Sequence, residues 1–254
     1  MPFSSERSAR SRRTYVMLSL MLAGVAGAVN AMSFFALGQY PSHMTGHVSR
    51  LGEALALGRW SGGTLAAQVL LAFVLGAVTA AMLLDASRHR HRGRHAGALL
   101  VELVTLGGVG LWLHTHPGVT EPTLLWGVAF AMGLQNALVT RVSGAVVRTT
   151  HLTGVLTDIG IQLVRMAVWV RDGARERGFR GVLHKVRDLP SAEQFERTRL
   201  HLGLALSFLS GATSGALLFL HHGALALAVP CGVLLLVAAL DMSPAGALVP
   251  TPHT

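Results

Sequence analysis

Two short phrases carry most of the side chains in this chain that could do chemistry. The first, SHMTGHVSRLG, covers residues 42–52, and the second, THLTGVLTDIG, covers residues 150–160. Laid over each other, they pair His43 with His151, Thr45 with Thr153, Gly46 with Gly154 and Gly52 with Gly160. Ser42 and Thr150, Met44 and Leu152, Ser49 and Thr157, and Leu51 and Ile159 are conservative pairs. A Thr at a helix start can accept hydrogen bonds from first-turn N–H groups, and a Gly beside it lets backbone approach a ligand closely. A helix N-terminus carries partial positive charge and free donors, which suits an anion. An imidazole, with an ordinary pKa of about 6.5, adds a group that exchanges protons near neutral pH. The chemistry expected is recognition of a small anionic solute, with His43, Thr45, Gly46, His151, Thr153 and Gly154 as binding residues.

Other polar groups sit inside apolar runs. Asn30, Gln135 and Asn136 join the expected substrate-binding lining, with the alternative that the asparagines only hydrogen-bond between helices. Glu102 is the one carboxylate well inside an apolar run, and a carboxylate there is a candidate for ion coupling. No metal or other cofactor is expected. His43 and His47 have the spacing of a metal pair on a helix, but Val155 replaces the second histidine in the other phrase. The stretch RHRHRGRH at residues 88–95 alternates histidine with arginine, whose charges oppose a metal. The single cysteine, Cys231, excludes an intramolecular disulfide and a cysteine metal cage. Gly-x-Ser-x-Gly, His-Glu-x-x-His and a phosphate-binding glycine loop are all missing, so an enzyme is not expected.

The elements that must position these residues are membrane helices. The chain has 254 residues, 51% of them hydrophobic and 13% charged. The apolar residues gather into six runs of about 20, the length that crosses a hydrocarbon core of about 30 Å. They cover residues 15–37, 63–84, 96–114, 123–142, 200–220 and 224–240. The net charge of +9 raises a nucleic-acid reading, which the placement of the charges excludes. All 21 Lys and Arg except Arg50 and Arg59 lie in the first tail, in residues 88–94, or between residues 141 and 199. Basic loops stay cytoplasmic during insertion, so both termini are expected inside and the partner is the lipid bilayer. SRRTYVML at residues 11–18 resembles an export signal, but the run after it is too long and lacks a cleavage site, so it reads as a retained first helix behind a basic tail. The loop 171–199 is expected to form short surface helices able to touch anionic headgroups.

The match between the phrases extends both ways. Upstream, AGAVNA pairs with MGLQNA, setting Gly27 against Gly133 and Asn30 against Asn136. Downstream, LAFVLGAVTAA pairs with LSFLSGATSGA, setting Gly76 and Ala80 against Gly211 and Gly215. These small residues let helix backbones approach, and the second and fifth helices are expected to form the close inner contact. The fold expected is all-α: six transmembrane helices in one membrane domain over residues 15–240, between tails 1–14 and 241–254. It divides into two three-helix repeats, 15–114 and 123–240. Three is odd, so the second repeat runs inverted. Segments 48–60 and 155–170 are too short to cross and read as short or re-entrant helices.

The segments AGAVNAMSFFALGQYPSHMTGHVSRLG and AFAMGLQNALVTRVSGAVVRTTHLTGVLTDIG resemble the paired signatures of the YoaK-like family of bacterial inner-membrane proteins, a domain of unknown function. The resemblance covers about residues 16 to 240 and implies an inner-membrane location without implying an activity. The family often has Asp where this chain has Asn30, and Asn where it has His47, so an acidic coupling role does not carry over to position 30. The expected function is a secondary transporter or channel for a small anionic solute, with its site between the repeats. The alternative is a non-transporting scaffold or lipid-binding receptor acting through the basic loop.

Overall fold

The computed structural model describes residues 9–89, 92–119, 121–142, 149–189 and 192–243. Among the described residues eight α-helices follow one another: α1 Ala9–Leu37, α2 Met44–Ala56, α3 Trp60–Ala86, α4 Ala96–Thr115, α5 Pro122–Val142, α6 Leu152–Asp188, α7 Glu196–His222 and α8 Ala228–Met242. Short 3₁₀ segments precede α7 and α8, and no strand occurs among the described residues. The chain forms two compact units, one from Met1–Thr150 with Phe208–Thr254, the other from His151–Ser207.

Six stretches are long and apolar enough to cross a bilayer: Thr14–Leu37, Trp60–Ala86, Ala96–Thr115, Pro122–Arg141, Leu152–Arg175 and Glu196–Met242. The last contains both final runs of the sequence, broken by the 3₁₀ segment Gly223–Leu227. Segment 48–60 falls largely in the short helix α2, as expected. Segment 155–170 differs, because it lies inside a helix long enough to span.

In the first unit, glycines set the helix spacing. A Cβ at Gly76 of α3 would overlap the Phe130 carbonyl of α5, and one at Gly133 of α5 would overlap the Phe73 carbonyl of α3. The same construction recurs between α1 and α7. A Cβ at Gly27 would overlap the Phe208 carbonyl, one at Gly211 the Gly24 carbonyl, and one at Gly215 would press on Ala28. Lipid tails are as apolar as leucine, so close backbone packing has to supply the attraction between these helices. The small residues of α3 and α7 therefore work as expected, but their partners are α5 and α1.

The contacts also fix direction. Along α3 and α5 they advance together, from Gly76 against Phe130 to the Asp85–Arg141 ion pair at 3.0 Å, so these helices are parallel. So are α1 and α7, from Gly24 against Gly211 to Phe35 stacked on Phe219. In contrast, α1 and α5 are antiparallel: Gln135 donates from Nε2 to the Leu22 carbonyl at 2.7 Å, while Leu37 packs against the cluster of Leu125, Ala129 and Val69. The pair α4 and α8 is antiparallel too, with Gly110 against Leu227 and His95 against Asp241.

Asp241 sits in α8 and is buried, not part of a tail. Its Oδ2 accepts from the backbone N–H groups of His95 at 2.8 Å and Ala96 at 3.0 Å, and its Oδ1 lies 3.1 Å from His95 Nδ1. The first N–H groups of a helix have no partner within it, and the side chain of His95, the N-cap of α4, supplies none. A carboxylate from the far end of the chain caps α4 instead.

In the second unit, α6 reverses at Gly178, which takes φ +61°. Eight residues of straight helix would separate Gly173 from Gly181 by about 12 Å, yet a Cβ at Gly173 would meet the Gly181 carbonyl at 3.1 Å. The fold-back sets Lys185 Nζ 4.6 Å from the centre of the Trp169 ring, whose edge packs on Phe195. The segment expected as a loop with short surface helices is thus a helical hairpin.

Replacing Asp241 by Ala strands two buried donors and should cost about 2 kcal/mol. The thermal midpoint of the detergent-purified protein is expected to fall by several degrees, with Asp241→Asn falling less because one acceptor oxygen remains.

Candidate functional site

The two phrases build the same elbow twice. After α1, Gly38 takes φ +71° and turns the chain back, so that Ser42 reaches Asn30. Asn30 Oδ1 accepts from the Ser42 hydroxyl at 2.9 Å and its N–H at 3.3 Å, while Nδ2 donates to the Ala26 carbonyl at 2.9 Å. After α5, Asn136 Oδ1 accepts from the Thr149 hydroxyl at 3.1 Å and the Thr150 N–H at 3.3 Å. Its Nδ2 donates to the Met132 carbonyl at 3.0 Å and the Thr150 hydroxyl at 2.8 Å. Each asparagine ties the end of its own helix to the loop that follows, and both are buried.

The next residue in each phrase is the helix N-cap. His43 precedes α2 and His151 precedes α6, and neither ring makes a capping hydrogen bond. Thr45 and Thr153 therefore stand at the second helical position, one turn-residue inside the start that the Thr-Gly pair implied. Each imidazole lies over the glycine three residues on, where a Cβ at Gly46 or Gly154 would overlap it. This is the reason for glycine at both places. His43, Thr45, His151 and Thr153 are exposed, while Asn30, Asn136 and Gln135 are buried. The first elbow lies wholly in the first unit, and His151, Thr153 and Gly154 belong to the second.

Two further groups differ from these satisfied ones. Glu102 of α4 is 0% exposed, and neither of its oxygens has a hydrogen-bond partner among the described residues. Gln135 is fully buried as well, and its Oε1 accepts no hydrogen bond among the described residues. A buried polar atom without a partner costs free energy, and in native structures it calls for a reason. No cluster of metal-ligating side chains occurs among the described residues.

A cleft of about 240 Å³ opens between α2 and α3, lined by Gln39, His47, Arg50, Glu53, Arg59 and Gly62 among others. His47 forms part of its wall. The ring donates from Nε2 to the Tyr40 carbonyl at 3.2 Å. Burial holds the His47 pKa below the ordinary imidazole value, against the Tyr40 carbonyl, which favours the charged ring. Arg50 donates from Nη1 to Gln39 Oε1 at 2.6 Å.

The second unit places a different group at the matching junction. Asp158 of α6 lies 3.4 Å from Arg197 Nη2 and 3.5 Å from Nδ1 of the buried His201, both on α7.

A family match over residues 18–240 now joins this geometry. The chain belongs to the family described as Protein of unknown function (DUF1275). No curated protein and no solved structure matches it. Within this DUF1275 chain, sequence reasoning located the paired asparagines, histidines and glycines, because each recurs in type and order. It missed Asp241, placed beyond the last run, and the Asp158, Arg197 and His201 group. The signal for the latter was present in the alignment of α3 with α7, where Gly62 and Ala66 face Arg197 and His201.

Gly46→Ala should destabilise the protein, because the added methyl displaces the His43 ring. In a His43→Ala background the same change should stabilise by up to about 1 kcal/mol, since Ala is the better helix residue. A double-mutant cycle by thermal unfolding measures the change of sign.

Proposed function

We propose that this DUF1275 protein is a secondary transporter or channel for a small anionic solute in the bacterial inner membrane, with both termini cytoplasmic and no enzymatic activity. The observation that carries the reading is Glu102: a fully buried carboxyl, without a hydrogen-bond partner among the described residues, in a helix apolar enough to span. An ionised carboxylate left that way is disfavoured by several kcal/mol. Carboxyls in such places serve ion or proton pathways. Glu102 is the coupling group in this proposal, binding a proton or releasing it as the solute site fills.

The helix directions support an inverted repeat. The first helix of each half, α1 and α5, run antiparallel, and the glycine crossings α3–α5 and α7–α1 use equivalent residues. Inverted repeats recur in secondary transporters, with the solute held between the halves. The solute-binding residues in this proposal are Asn30, His43, Thr45 and Gly46 around the first elbow and Gln135, Asn136, His151, Thr153 and Gly154 around the second.

One observation favours a second reading, a lipid-binding scaffold. Phe179, Leu183 and Val186 are exposed at the spacing of one helix face, beside Arg180, Lys185 and Arg187. Such a stripe suits an anionic membrane surface.

Flux into proteoliposomes under imposed proton and ion gradients tests the first reading. Glu102→Gln, of similar volume but without the ionisable proton, is expected to abolish gradient-driven uptake while leaving binding. Failure of the wild type to move any solute under any gradient would sink the transporter. Loss of the cellular phenotype on deleting residues 173–190, with His43→Ala unaffected, would favour the scaffold.

A further inference from the structure

The repeat makes the α2–α3 cleft interpretable, because the second half shows what the same junction looks like when it is filled. Position by position, His47, Arg50, Gly62, Gly63 and Ala66 of the first half correspond to Val155, Asp158, Arg197, Thr198 and His201 of the second. The registers rest on fixed points in both pairs of helices: the N-cap histidines with their glycines, and the crossings at Phe73 with Gly76 and Phe208 with Gly211.

Each half buries one imidazole at this junction, but from opposite helices. In the first half it is His47 of α2, which lines the cleft together with Ala66 of α3; in the second it is His201 of α7, which lies beside Asp158 of α6. The charges are exchanged too. The second half closes on itself, with Arg197 and His201 beside Asp158. In the first half the α2 position carries Arg50, and the place of Arg197 is held by Gly62, where a Cβ would meet nothing within 4 Å. The side chains that fill the second junction are missing, and a cleft lined by Arg50, Arg59 and Glu53 stands in their place. None of these three charges has an ion-pair partner among the described residues. A guanidinium facing an open space where its relative has an internal counter-ion is arranged to receive an external one.

We propose that the cleft between α2 and α3 binds a small zwitterion, its anionic group on Arg50 and Arg59 and its ammonium on Glu53. The cleft of about 240 Å³ has room for a molecule of the size of an amino acid or of a phosphoethanolamine group. Glu53 excludes simple anions by repulsion, and His47, held neutral by burial, adds no competing charge at neutral pH. This goes beyond the transport reading and does not depend on it, since binding is read at equilibrium in detergent and flux in vesicles.

Thermal unfolding of the detergent-purified full chain is followed with alanine, acetate, ethylammonium and phosphorylethanolamine, and with added phosphatidylethanolamine. A saturable rise in Tm is expected with a zwitterion and not with acetate or ethylammonium. A soluble zwitterion as the effective probe would name a free solute, and phosphatidylethanolamine alone a lipid headgroup. Arg50→Ala should weaken the apparent affinity about tenfold. Glu53→Gln should let acetate bind as well as alanine. Gly62→Arg, which restores the occupant of the second half at an exposed position, should abolish the rise without lowering the unliganded Tm. A rise with no probe, or one that survives both Arg50→Ala and Gly62→Arg, would overturn the site; acetate exclusion unchanged in Glu53→Gln would overturn its zwitterion character.

Discussion

The structure depends on backbone touching backbone at two helix crossings. Where α3 meets α5 and α1 meets α7, a carbonyl occupies the space that any Cβ at Gly76, Gly133, Gly27 or Gly211 would need. Hydrocarbon offers no hydrophobic reward for bringing apolar helices together, so the attraction has to come from contact area at short range. Glycine maximises that area. Both crossings are parallel, and each joins a helix of one half to a helix of the other.

From those crossings hang the two elbows. Each needs an acceptor for loop N–H groups where a helix has ended, and each finds it in a buried asparagine one turn or more back along that helix. The helix that follows begins with a histidine folded over a glycine. The two elbows agree in these details and then diverge, because α2 ends after 13 residues while α6 continues for 37 and folds back at Gly178. Equivalent starts therefore lead to an open charged cleft in one half and a filled polar junction in the other.

The two buried carboxyl groups of α4 and α8 differ in how their burial is compensated. Asp241 is surrounded by donors and caps α4, so its burial is compensated. Glu102 lies fully buried with no such donors among the described residues. Both belong to the α4–α8 region, which places the contrast within one packed pair of helices.

Much of this was legible in the residue order. Runs of about 20 apolar residues can only be helices in a bilayer, because no other open segment satisfies its own backbone there. The duplication was legible because His-x-Thr-Gly, the paired asparagines and the small-residue spacings recur in type and order. The partners were not. Gly76 states that something approaches, and only the fold says that it is α5. The carboxylate that caps α4 lies 146 residues from His95, and nothing local to either residue marks the other. Segment 155–170 looked too short because its polar residues interrupt a hydropathy pattern, whereas α6 runs on to Asp188 because helix continuity depends on backbone hydrogen bonds. The exchange of His47 and Ala66 for Val155 and His201 is invisible along either helix alone, since it conserves the content of a junction and not of a position. Composition and repetition determined the class of structure; contacts between distant residues, whose energies depend on proximity in space, decided which side chains meet.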